Sequence, residues 1–141
     1  MSKEFDEKEF VAKRIQEYQS EAGKGKRITA LVVEPNKVPY VKEICEDFES
    51  MYCHLGGPLE GICLYGDEIS IVCNEWGKVL GLPPNRALFG NGDFPYDVIA
   101  GTFVVVGATY EDEYYSSLPE DMIEKYYNLF KDPVCQWRYV I

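Results

Sequence analysis

Asn85 and Arg86 follow directly on Pro83-Pro84, and their types and spacing offer chemistry more plainly than any other residues of the chain. A planar guanidinium beside a side-chain amide can hold a carboxylate, a phosphate or a base edge through several directed donors. They belong to the stretch from Asn74 to Leu88, where a cation, an amide and turn residues collect in a mostly acidic chain. Asn74, Trp76, Lys78, Asn85 and Arg86 are therefore the candidate binding residues. The competing reading is structural: Arg86 pairs with Asp97 or Glu75, and Asn85 caps a short helical turn. Residues of these types more often satisfy local backbone than hold a ligand. Gly77-Lys78 is not a phosphate-binding loop, because the G-x-x-x-x-G-K spacing and a following helix are missing.

No Ser-His-Asp, Cys-His or H-E-x-x-H arrangement is present, and His54 is the one histidine, so no catalytic residue is assigned. His54 falls in the last turn of a predicted helix, where a cationic imidazole favours the C-terminus. Glu111-Asp112-Glu113 reads as a solvated turn. Five cysteines stand at 45, 53, 63, 73 and 135, an odd number without a C-x-x-C pair. They read as reduced, mostly buried thiols, and neither a metal nor another cofactor is expected. Eleven tyrosines are present, with Tyr110, Tyr114, Tyr115, Tyr126, Tyr127 and Tyr139 gathered toward the C-terminal part. Together with Trp76 and Trp137 they are of the kind that anchors protein interfaces. Tyr126 reads as core instead, with a wet hydroxyl.

The net charge of −10 decides which partners the chain can attract. Residues 1–27 carry seven Lys/Arg against six Asp/Glu, so the acidity belongs to the body from residue 28 onward. Such a body repels a phosphate backbone, and direct nucleic-acid binding is not expected. A protein that itself occupies a cationic, nucleic-acid-binding groove remains compatible with it. At 141 residues the chain makes one domain able to bury a core. There is no apolar run of the ~18 residues that a membrane span needs. The charged segment from Lys3 to Glu9 is not a signal peptide, so a cytoplasmic location is expected.

The elements that must position the candidate residues can be read in order. Residues 6–22 form a helix with Asp6 as N-cap, Glu9 at N3, Phe5 and Phe10 as a staple, and Gly23 as the stop. Phe10, Val11, Ile15, Tyr18 and Ala22 make its apolar face, which packs on the body; a partner-binding arm is the lesser alternative. Ile28–Val33 is apolar on both faces, as a central strand is. Glu34–Lys37 turns the chain into a short return strand within 38–44. A helix over 47–55 stacks Phe48, Met51, Tyr52 and Leu55 until Gly56-Gly57 stops it. Leu59–Tyr65 and Glu68–Cys73 form a hairpin in which Leu64 faces Ile69 and Ile62 faces Ile71, placing Cys63 and Cys73 on opposite faces. A second hairpin is expected between 71–73 and 78–82, with Trp76 at its tip, followed by one helical turn over 84–88 and a loop over 90–93. Gly101–Gly107 is the second central strand. Ser117 and Glu120 form a capping box for a helix reaching Phe130, and Val134–Ile141 adds an edge strand or a docked tail.

Several of these pieces, taken together, carry a resemblance. They are Leu31-Val32-Val33-Glu34-Pro35, Gly56-Gly57, Val72-Cys73-Asn74-Glu75 with Gly77-Lys78, and Gly81-Leu82-Pro83 with Asn85-Arg86-Ala87-Leu88. Asp97–Phe103 and the Ser117–Phe130 helix complete the set. The order resembles a small domain of unknown function from phages, plasmids and integrative elements of low-GC Gram-positive bacteria. The resemblance implies a mobile-element setting and no particular chemistry. Trp76 departs from the acidic or small polar residue of that pattern, and the N-terminal helix and the tail lie outside it.

The chain is thus expected to be an α+β domain with a mixed or antiparallel sheet of five or six strands and packed helices. Its divisions are an added helix and linker (1–27), a core (28–131) and a C-terminal strand or tail (132–141). Two functions follow. One is a non-catalytic accessory protein that binds a host protein, such as a defence component, through an acidic, aromatic surface. The other is a binder of a small molecule or nucleotide, or a minor enzyme, using Asn85, Arg86 and Lys78.

Overall fold

The two-sided apolar runs take the central places in the sheet. In the computed structural model, which describes residues 4–64, 66–89, 95–109, 111 and 113–133, Ile28–Val33 lies within β1 (Arg27–Val33). Phe103–Gly107 forms β7, which pairs with β1 and with β4 (Ile69–Asn74). β2 (Tyr40–Cys45) and β3 (Leu59–Ile62) form the edges, so the five-stranded sheet runs β2-β1-β7-β4-β3 with every neighbour antiparallel. The fold is α+β. Because successive residues alternate between faces, each central strand feeds two cores. Leu31, Val33, Ile71, Phe103 and Val105 meet Leu118, Tyr126 and Phe130 on one side. Ile28, Ala30, Val32, Val72, Val104 and Val106 meet Met51 and Leu55 on the other. The first of these faces is covered by α3 (Glu120–Phe130), and the second by α2 (Phe48–Leu55).

The added helix is α1 (Glu7–Tyr18), and it packs on α2. Asp6 caps it by accepting the Glu9 N–H at 3.2 Å, and Phe5 meets Phe10 with ring centroids 5.4 Å apart, as the staple requires. α2 is capped at both ends: Asp47 accepts from Ser50 N–H at 3.0 Å, and Gly56 takes the left-handed conformation after Leu55. The β3–β4 register places Ile62 opposite Ile71, and Cys63 is exposed whereas Cys73 is buried and free. Burial, with Glu60, Asp97 and Glu75 nearby, pushes the Cys73 thiol up to about 12. Brief alkylation of the native chain at pH 8 is therefore expected to modify Cys63 and spare Cys73, as peptide mapping would show. Labelling of Cys73 at a comparable rate would contradict its place in the core.

Three expectations are corrected. Residues 78–82 do not pair with β4; they belong to one helical turn, in which Leu80 N–H donates to Trp76 O at 2.8 Å. That turn closes with Gly81 N–H on Lys78 O at 3.1 Å and Leu82 N–H on Gly77 O at 2.9 Å, with Gly81 at a φ of 73°. These are the paired bonds of a Schellman cap, and a glycine supplies them at least cost. Residues 84–88 are not a helical turn but lie in β5 (Pro84–Phe89), which pairs antiparallel with β6 (Pro95–Ala100) as a separate two-stranded sheet. Pro84 is tolerated because it opens the strand. Ser117 does not cap α3; its hydroxyl accepts the Thr29 N–H at 2.9 Å and ties the segment before the helix to β1.

The loop over 90–93, the segment Val134–Ile141, and Tyr65, Tyr110, Asp112, Cys135, Trp137 and Tyr139 lie outside the described residues. Among the described residues no helix is long and apolar enough to cross a membrane.

Candidate functional site

Asn85 and Arg86 sit where β5 passes beneath the end of β1, and both are buried. The Asn85 amide donates to Val33 O at 2.8 Å and to Gly101 O at 2.9 Å, joining β5 to the central sheet and to the turn after β6. It does not cap a helix, since the segment is a strand. The Arg86 guanidinium spreads across three elements. Its Nε donates to Phe130 O at 3.0 Å, Nη1 to Asn85 Oδ1 at 2.7 Å, and Nη2 to Lys37 O at 2.6 Å. The cation therefore lies at the C-terminus of α3, where the helix dipole is negative and the last carbonyls lack intrahelical partners. Asp97, expected as a partner of Arg86, receives Lys78 Nζ at 2.7 Å.

The other candidates gather around the 76–81 turn. Asn74 is buried; its amide donates to Leu55 O at 3.1 Å while its Oδ1 accepts the Trp76 N–H at 2.9 Å. Gly57 lies so close to this amide that a Cβ there would stand 2.6 Å from Nδ2. That close approach is the physical reason for glycine at 57. Trp76 does not stand exposed at a tip: its ring meets Phe10 at 5.6 Å and Phe5 at 6.1 Å. The structure thus brings Asn74 together with Trp76, and Asn85 with Arg86, with Lys78 joining the turn to β6.

A different set of side chains lines an open groove of about 850 Å³. It runs between the start of α2 and the loop from β7 to α3, and the segment after α1 closes one end. Met51, Leu59 and Tyr115 make its apolar lining, with Phe48, Glu49, Glu113 and Tyr114 toward solvent. Glu21, Glu46 and Asp47 add carboxylates; the one lysine there, Lys24, is paired with Glu21 at 2.9 Å. Phe48 shares the helical spacing of Met51, Tyr52 and Leu55 but is 50% exposed, and Tyr114 is 65% exposed. The sequence signal for this groove was the excess of tyrosine beside acids. What it lacked was the proximity of 46–49 to 113–115, which only the tertiary fold creates. Tyr126, in contrast, is fully buried, and its hydroxyl donates to Asp67 at 2.8 Å.

Two carboxylates join separate elements of the fold, Asp47 beside the groove and Asp67 at α3. Asp47 accepts from Ser50 N–H and Oγ and from Gly25 N–H, the last at 3.2 Å, and so binds the linker to α2. Burial opposes its ionisation, but these donors outweigh burial and hold its carboxyl below the usual value. Asp67, bonded by Lys125 and then by Tyr126, is likewise lowered. A lowered carboxylate contributes stability that is complete above its ordinary value, near pH 4, and lost as pH falls through the lowered one. Thermal melts should therefore show these contributions undiminished from pH 8 to 5 and failing below about pH 4. Asp47→Ala is expected to cost ~1 kcal/mol at neutral pH, the usual effect of removing a helix N-cap, and to flatten the acid limb. An unchanged melting temperature at pH 7 would contradict this role. His54, in contrast, is displaced downward by burial of its ring and by Lys42, which favours the neutral form in neutral solution over a cationic cap.

No curated protein and no solved structure matches the chain. A domain of unknown function, DUF3846, matches residues 28–131. That span begins at the first central strand and ends just after α3, so it contains the sheet, the Asn85–Arg86 joint and most of the groove, and leaves α1 outside. The chain belongs to the DUF3846 family.

Proposed function

We propose that this chain is a non-catalytic binding protein that engages a host protein through an acidic, aromatic surface, and that the groove between α2 and the β7–α3 loop is the centre of that surface. The single observation behind the reading is the groove itself: an apolar lining, exposed Phe48 and Tyr114, and carboxylates on both sides. Exposed aromatics over an apolar floor supply anchors, and surrounding anions select a cationic partner and steer its approach. The mobile-element setting implied by the sequence resemblance makes a host protein the expected partner. A defence protein with a cationic groove for nucleic acid would fit the anionic surface.

The alternative, a small-molecule or nucleotide site at Asn85 and Arg86, asks more of the geometry. An incoming anion would have to displace backbone carbonyls and the Asn85 amide from the guanidinium of Arg86, a residue that is 4% exposed. The test is capture of host proteins by the tagged chain at low and high salt. One stoichiometric protein, released at high salt, supports the acidic-surface reading. A bare bait opposes it and turns attention to small molecules co-purifying at Arg86.

A further inference from the structure

α1 lies outside the family domain, yet it covers one of that domain's faces. Its aromatic contacts with the body stand at its two ends. At the start, Phe5 and Phe10 close on Trp76; at the end, Tyr18 meets Phe48 at 5.7 Å and Tyr52 at 5.0 Å. Between them the body offers α1 only a long thiol contact, Cys53 Sγ to Ile15 O at 3.8 Å, among the hydrogen bonds of the described residues. Of the twelve residues of α1, Val11 alone is buried. The linker is held much better: Gly23 N–H donates to Ser50 Oγ at 2.7 Å, and Lys26 N–H to Glu46 Oε1 at 3.0 Å. A short helix with so little buried surface belongs to the low-stability end of a structure, and it can open while the anchored linker stays closed.

The face beneath α1 has one unmet need. Tyr52 is 3% exposed, and its hydroxyl is buried without a hydrogen-bond partner among the described residues. Burying an unbonded hydroxyl is costly, so α1 fits this face incompletely. A helix that brought a polar group opposite Tyr52 would fit it better.

We propose that the outer face of α2, together with Trp76, is a helix-receiving groove, that α1 is its occupant in cis, and that an amphipathic partner helix with aromatic residues at the spacing of Phe5, Phe10 and Tyr18 displaces α1. This is the helix-in-groove mode of recognition, with aromatic anchors at either end and the tethered α1 as competitor. The site shares Phe48 with the rim of the acidic groove but does not depend on that groove's role.

The test uses the full chain with a protease site placed in the turn over 19–22, and a fluorescent peptide of residues 4–22 as probe. After cleavage, the peptide is expected to exchange into the groove and to bind the cut chain at least about tenfold more tightly than the intact chain, where the tethered helix competes. Trp76→Ala should weaken that binding about tenfold. An uncut Phe10→Asp chain, which loosens α1 without touching the core, should keep its sheet by circular dichroism and bind the peptide as the cut chain does. Equal binding to cut and intact chains, no binding to either, indifference to Trp76→Ala, or unfolding of both the cut chain and Phe10→Asp would each overturn the proposal.

Discussion

Replacing Arg86 with alanine is expected to destabilise the chain by ~3–5 kcal/mol and to lower its melting temperature by roughly 10–17 °C. The side chain donates at once to the end of α3, to the β1–β2 turn and to its own neighbour Asn85. Removing it leaves Phe130 O, Lys37 O and Asn85 Oδ1 facing a cavity, and buried acceptors without donors are costly. Hydrogen bonds from a charged donor are also the stronger kind, commonly worth ~1.5–3 kcal/mol each before the loss of packing. Arg86→Lys should recover little of the loss, because one ammonium cannot span the three directions of the guanidinium fork. Melting followed by circular dichroism decides the matter. A variant as stable as the parent would mean that the buried guanidinium is held for something other than the fold.

Gly77→Ala is expected to cost ~2–3 kcal/mol, although it adds a single methyl group. Gly77 is buried, and a Cβ there would run into the carbonyl oxygen of Ala100 at the end of β6. The obstacle is backbone, so relief requires the whole 76–81 turn to lift. That motion pulls Trp76 away from Phe5 and Phe10 and Lys78 away from Asp97. The loss should therefore appear in two places, as a lower melting temperature and as faster hydrogen exchange in α1. Exchange in α1 that does not change would show that the turn and the helix are not mechanically joined.

Both effects pass through a stretch where the sequence was legible only in part. Ile28–Val33 and Gly101–Gly107 declared themselves by apolar side chains on both faces, a pattern that serves a doubly covered strand. The helix ends at Asp6, Asp47 and Gly56 were readable because caps are local chemistry. The composition of Lys78–Leu82 suits a returning strand, whereas the close approach of Gly77 to Ala100 that fixes the 76–81 turn is a tertiary contact. β5 and β6 have a local signal in two short apolar runs, Ala87-Leu88-Phe89 and Val98-Ile99-Ala100, which flank a Gly-Asn-Gly-Asp segment of hairpin type. Pro83-Pro84 argues against a strand at that point, because proline supplies no N–H to a ladder. Arg86 stands out in the sequence as a cation in an acidic chain, but its carbonyl partners come from residues far along the chain, and no spacing rule connects residue 86 to residues 37 and 130.

Trp76 shows the same limit from the other side. It lies inside the matched span and the N-terminal helix lies outside it; in the fold the two are one feature, since the tryptophan receives the phenylalanines of that helix. The acidic groove is the converse case. Its residue types stood out by composition, while their arrangement into a surface needed the fold to bring the start of α2 against the β7–α3 loop.

The most direct test of the proposed binding role compares the tagged chain with a Glu49→Lys, Glu113→Lys, Tyr114→Ala variant in capture from host lysate at low salt. None of the three side chains is buried, and surface changes of this kind usually alter stability by no more than about 0.5 kcal/mol each. The account predicts that the parent retains one stoichiometric protein that high salt releases, and that the variant, equally folded, retains none of it. Capture of the same protein at the same level by the variant would contradict it.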